Sequence, residues 1–230
     1  MAGTVPPTAP TVPHPRRPLG SGSGAGPGAA VAPDGRAARL RHWYENDLGW
    51  ATVPAPPGEP LRLVTGVRFD VLDVPAEAGA KALRHLGPGS PVALQGGRMR
   101  LLVAAGGAEE LPGLLEWLEW GALALDLRAL GDRGRMDAPA RPEPASTGVR
   151  PPPGPAEGRA EPVQGAAVWL RPPASGCEVE ASLPTLSAMG GVGGAPDLVR
   201  LLDTVATECH RIRLRRAGRG SENSQLLASS

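Results

Sequence analysis

The sequence predicts an α+β protein: a mixed β-sheet flanked by helices, with a disordered N-terminal tail and an internal Pro/Gly-rich insertion. Three observations predict it. Short apolar runs are separated by turn signals such as Thr65-Gly66 and Gly96-Gly97, the pattern of strands joined by tight turns. Other stretches carry apolar residues at helical spacing, most clearly Leu198, Leu201, Leu202, Val205, Cys209 and Ile212. The 32 Gly and 28 Pro residues among 230 fall mainly in blocks, so the folded part is shorter than the chain.

Residues 1–38 have no hydrophobic period and cannot bury enough surface to offset chain entropy, so they read as a tail. Within it Arg16-Arg17 are solvated charges. Residues 39–137 form the first part of the domain. Leu40, Trp43, Tyr44 and Leu48 share a helical face that Gly49 closes. Residues 50–53 make a short strand, and residues 61–64 lead into the central strand at 67–74. There Phe69, Val71 and Asp73 share one face, while Asp70, Leu72 and Val74 share the other. Pro75 ends the strand, and a helix over 76–86 follows. A strand at 91–94 turns at Gly96-Gly97 into its partner at 98–104. A helix at 108–120 carries Pro112, which suits only a first turn. Residues 122–129 read as a buried strand. Residues 138–163 are too long and too Pro-rich for an ordinary loop and read as a disordered insertion. Residues 164–216 complete the domain with a strand at 165–171, a Gly-rich stretch and a helix capped by Asp197. Residues 217–230 read as a polar tail.

A net charge of +1 gives no global pull toward nucleic acid or a membrane surface. Lys81 is the only lysine, so arginine abundance reflects coding bias as much as function. No apolar run approaches the roughly 18 residues of a membrane span, and no membrane partner is expected. The N-terminus has no apolar segment of the secretory kind. Cys177 and Cys209 lack CxxC spacing and read as reduced thiols of a cytoplasmic protein. Gly190 to Gly194 looks like a phosphate loop but lacks the Lys-Ser/Thr that such a loop needs. Trp117 and Trp120 read as packing residues rather than base-stacking platforms.

Five short motifs occur in order: Trp43-Tyr44 with Gly49-Trp50 to Pro54; Thr65-Gly66; Leu72-Asp73-Val74-Pro75 with Gly79; Gly96-Gly97-Arg98-Met99; and Asp126-Leu127-Arg128 with Gly134 and Ala138-Pro139. Over roughly residues 40 to 170 this series resembles the N-terminal domain of bifunctional DNA primase/polymerases, of the archaeo-eukaryotic primase superfamily. The resemblance implies a primase-polymerase-like fold and nucleotidyl transfer with Mg2+ or Mn2+. In such chemistry clustered carboxylates hold the ions that neutralise a triphosphate. It assigns Asp73 and Asp126 as catalytic residues and metal ligands, and Arg98 and Arg128 to nucleotide phosphates. Pro75 stands where the family has a second Asp, and Met99 where it has a His. Asp70 lies on the opposite face and cannot substitute.

The expectation is therefore a DNA primase/polymerase-like protein with a degraded active site that retains nucleotide or DNA binding. The alternative is a non-enzymatic regulatory or protein-interaction module on the same fold. Its contact surface would be the C-terminal helix, whose basic end carries Arg211, Arg213, Arg215 and Arg216.

Overall fold

The computed structural model describes residues 33–54, 56, 59–142, 165–174, 179–186 and 196–228. Helix α1 (Pro33–His42) runs into a wider π-type turn, Trp43–Asp47. Strands β1 (Thr52–Val53) and β2 (Arg62–Val64) follow, then the central strand β3 (Phe69–Pro75). Helix α2 (Ala76–Ala82) tightens into a 3-10 turn, Leu83–His85. The hairpin β4 (Val92–Gln95) and β5 (Arg98–Ala104) leads to α3 (Gly107–Trp117). Then come β6 (Arg128–Leu130), β7 (Arg135–Asp137), β8 (Val168–Arg171) and the long α4 (Leu198–Ala228).

The strands form two sheets, ordered β1-β2-β7 and β6-β3-β5-β4-β8. All ladder pairings are antiparallel. The expected mixed sheet is thus replaced by two antiparallel ones, and the one parallel contact among the described residues is an isolated bridge between Thr185 and Asp197. The reason is topological. From β3 to β6 the chain runs β-α-β-β-α-β, with spatial order β6-β3-β5-β4. This is the split, ferredoxin-like arrangement, in which strands next to each other in the sheet run in opposite directions.

Strand β3 alternates between two cores. Leu72 and Val74 join the core under α2, α3 and α4, together with Leu101, Leu198, Leu202 and Val205. Phe69 and Val71 join the other core with Trp43, Tyr44, Trp50, Leu63 and Met136. The six-residue stripe expected on the last helix is buried throughout, each such side chain contributing about 1.5–3 kcal/mol. Asp197 caps that helix: its Oδ1 accepts from the amides of Val199 at 2.8 Å and Arg200 at 3.3 Å. Gly96 and Gly97 both have positive φ, 53° and 78°, which is what a two-residue hairpin turn demands.

Several boundaries differ from expectation. Helix α1 opens at Pro33, inside the stretch assigned to the tail; residues 1–32 lie outside the described residues. The strand expected at 122–129 is a turn-rich loop, and only Arg128–Leu130 pairs. Leu125 and Leu127 still pack on the core, so the apolar pattern marked burial without a ladder. Pro112 lies inside α3 rather than in its first turn, and the helix forgoes the bond its missing amide would donate. The insertion was expected from residue 138. Ala138, however, donates to the Leu61 carbonyl at 2.7 Å, and the Pro139 carbonyl accepts from the Tyr44 hydroxyl at 2.7 Å. Residues 143–164 lie outside the described residues, as do Cys177 and Gly190 to Gly194. Helix α4 continues to Ala228, through the stretch read as a polar tail. No helix among the described residues is long and apolar enough to cross a membrane.

Candidate functional site

Asp73 lies near the end of β3, on the face it shares with Phe69 and Val71. Cross-strand neighbours share a face, and Asp73 is flanked by Arg100 on β5 and by Arg128 on β6. Arg98, two residues before Arg100, opposes Pro75 on that same face. Asp126 arrives from the loop ahead of β6, the strand next to β3. Three of the four residues singled out by sequence are thereby in direct contact.

The contacts centre on the Arg98 guanidinium. Its Nε donates to Asp73 Oδ1 at 2.5 Å, its Nη1 to Asp126 Oδ1 at 2.6 Å, and its Nη2 to the Asp73 carbonyl at 2.7 Å. All three guanidinium nitrogens are thus spent inside the protein, in the planar fork that suits carboxylates. Arg216 of α4 reaches Asp126 Oδ2 at 3.6 Å, and Arg100 Nε lies 3.9 Å from Asp73 Oδ2. Arg128, the fourth residue, is exposed and makes no ion pair among the described residues. The hydrogen bond from Arg98 holds the Asp126 carboxyl below the usual range, against an opposing push from burial. Burial by itself would lower the Arg98 guanidinium; the bonds to Asp73 and Asp126 outweigh it and raise it.

Four arginines thus face two carboxylates, a surplus of two positive charges. A divalent cation here would have to displace Arg98 and enter a positive field. Among the described residues no three His, Cys, Asp or Glu side chains group closely enough to hold a metal ion. The donor set at Asp73 and Asp126 therefore does not fit the expected Mg2+ or Mn2+.

Behind Arg98 the site is incompletely satisfied. Arg100 Nε and Nη1 are buried without hydrogen-bond partners, and so is Gln95 Oε1. Gln95 opposes Arg98 across the β4–β5 ladder and donates from Nε2 to Asp137 Oδ2 at 2.7 Å. Arg100 and Gln95 were missed from the sequence. The signal for Arg100 was present, since i and i+2 on a strand share a face. Arg216 carried no such signal.

Met99, which stands where the resemblance places a His, lies on the face opposite Asp73. It pairs with Val74 and is buried in the helix-side core, pointing away from Asp73. It packs against α2 where Gly79 has no Cβ: one built there would lie 2.5 Å from Met99 Sδ. Asp70 also faces the helix side, as expected. It is fully buried, and its Oδ2 accepts from the Ala108 amide at 2.9 Å in the first turn of α3. His85 bonds Thr204 of α4 at 2.9 Å and takes no part in the site. Trp117 is 65 % exposed, contrary to its assignment as a packing residue. Trp120 is partly buried, its Nε1 donating to Asp203 at 3.1 Å.

The basic end of α4 is largely engaged by its own domain. Arg211 pairs with Glu208, Arg215 with Glu77 and Arg216 with Asp126, while Arg213 donates to the Ala124 carbonyl. No protein-family model, no curated protein and no solved structure matches this chain.

Proposed function

We propose that the chain is a primase/polymerase-like protein that has exchanged its metal ions for an arginine. In this reading it binds the phosphates of a nucleotide or of DNA without catalysing nucleotidyl transfer. The observation that carries it is Arg98 bonded to both Asp73 and Asp126. A guanidinium at that point neutralises the carboxylates as an ion would, but it cannot activate a hydroxyl or bridge a triphosphate to them. The excess of positive charge favours an anion, and Arg128, exposed and without an ion pair among the described residues, can meet a phosphate oxygen. Adjacency of β3 and β6, with both carboxylates converging, supports the kinship on which the reading rests.

The test is calorimetric titration with dATP in EDTA. The expected result is binding that is unchanged by added magnesium and weakened about tenfold, the cost of one charge-assisted contact, in Arg128→Ala. Template-directed primer extension that requires Asp73 would overturn the reading.

A second reading, a non-enzymatic protein-interaction module, is favoured by an open groove beside α3. The C-terminal helix is the weaker candidate surface for it, since Arg211, Arg213, Arg215 and Arg216 already have partners within the domain.

A further inference from the structure

An open groove of about 690 Å3 runs between α3 and the loop that follows it, within the usual size range of binding clefts. Its floor is apolar, made by Leu111, Leu115 and Leu127, and its rim carries Glu116 and Glu119. Both glutamates are exposed, and neither makes an ion pair among the described residues. Helix α3 carries Glu109, Glu110 and Glu116 and no basic residue. The far wall is held in place from α4, by Arg213 on the Ala124 carbonyl at 3.0 Å and by the Trp120–Asp203 bond. The cleft is therefore supported from behind and open in front.

We propose that this groove docks a segment of a partner protein that places leucine-like side chains on the floor and arginine or lysine against Glu116 and Glu119. Charge complementarity selects that occupant. A nucleic-acid backbone or an anionic membrane surface would be repelled by the acidic rim, and an acidic peptide likewise. A purely apolar segment would leave the two carboxylates facing it without counter-charge. An extended peptide suits an open cleft better than a small molecule, which needs most of its surface enclosed. The inference stands apart from the phosphate reading: Leu127 follows Asp126 in the chain, but no groove side chain hydrogen-bonds or ion-pairs with Asp73, Asp126 or Arg98.

The probe is a fluorescein-labelled peptide of four Arg-Leu repeats, titrated with the full chain and read by anisotropy. Four Glu-Leu repeats and four Arg-Gly repeats serve as controls. The Arg-Leu peptide is expected to bind at least tenfold more tightly than either control. Glu116→Gln combined with Glu119→Gln is expected to weaken it at least fivefold. Ala122→Trp, which fills the groove without changing charge, is expected to do the same. Glu110→Gln, on the same helix but outside the groove, is expected to leave binding unchanged. Circular dichroism melts confirm that each variant is folded. No binding to the wild type, equal binding of the Arg-Gly peptide, or binding indifferent to both groove variants would each overturn the proposal.

Discussion

Arg98 on β5 holds Asp73 on β3 by side chain and main chain at once, donating to Oδ1 at 2.5 Å and to the backbone carbonyl at 2.7 Å. The double contact ties the end of the central strand to its neighbour, and the third nitrogen ties in the loop before β6. Arg98→Ala should therefore destabilise the fold. About 1–2 kcal/mol is expected, the lower part of the range for charge-assisted bonds, because Asp126 is screened by solvent. Urea unfolding measures it, and an unchanged midpoint would show that the contacts carry no net stability.

Gly79 and Met99 are fitted to one another. A Cβ at residue 79 would lie 2.5 Å from Met99 Sδ and 2.8 Å from its Cβ, so the whole side chain and not only its tip stands in the way. Gly79→Ala should cost about 1–3 kcal/mol through overpacking, despite alanine's better helix propensity. Combined with Met99→Ala it should cost less than the two single changes together. Additive costs in a double-mutant cycle would refute the fit.

Asp70 gives a pH signature. Burial is the main cause that raises its carboxyl above the ordinary range, with the Ala108 amide opposing and the nearby Glu109 adding to the rise. A group raised in the folded state lends stability that is full below the unfolded value, about pH 4, and is lost as pH climbs through the folded value. Asp70→Asn keeps an oxygen for the Ala108 amide and does not titrate. Its stability relative to wild type should be greatest near neutrality and should shrink on acidification. Parallel stability curves for the two proteins between pH 4 and 8 would contradict this.

The cap on α4 is the simplest local test. Asp197→Ala should remove two amide contacts and cost about 1 kcal/mol, seen as a lower thermal midpoint, while Asp197→Asn should recover most of it.

The parts of this structure that were legible in sequence rest on local chemistry. The Gly96-Gly97 turn set the hairpin, and the apolar run after it placed β5 at the residues observed, Arg98–Ala104. The stripe from Leu198 to Ile212 gave the buried face of α4. What was not legible depends on long-range partners. Leu123, Leu125 and Leu127 alternate as a strand would, yet Leu125 and Leu127 pack on the core while Leu123 is exposed, and the pattern does not say whether a neighbouring strand is free to pair. Met99 was aligned to the site by motif, and only the register of β3 on β5, which pairs Asp73 with Arg100 and Val74 with Met99, puts it on the other face. Asp73 and Asp126 were expected together, yet nothing local announced that the arginine beside them would bond to both.

The central claim is that Arg98 occupies the place a divalent ion would take between Asp73 and Asp126. Manganese binding, followed by electron paramagnetic resonance on the wild type, Arg98→Ala and Arg98→Ala with Asp73→Ala, tests it most directly. The account predicts no Mn2+ site in the wild type, weak Mn2+ binding in Arg98→Ala, where Arg100, Arg128 and Arg216 still face the two carboxylates, and its loss again when Asp73 goes. A wild-type Mn2+ site that Asp73→Ala abolishes would contradict it.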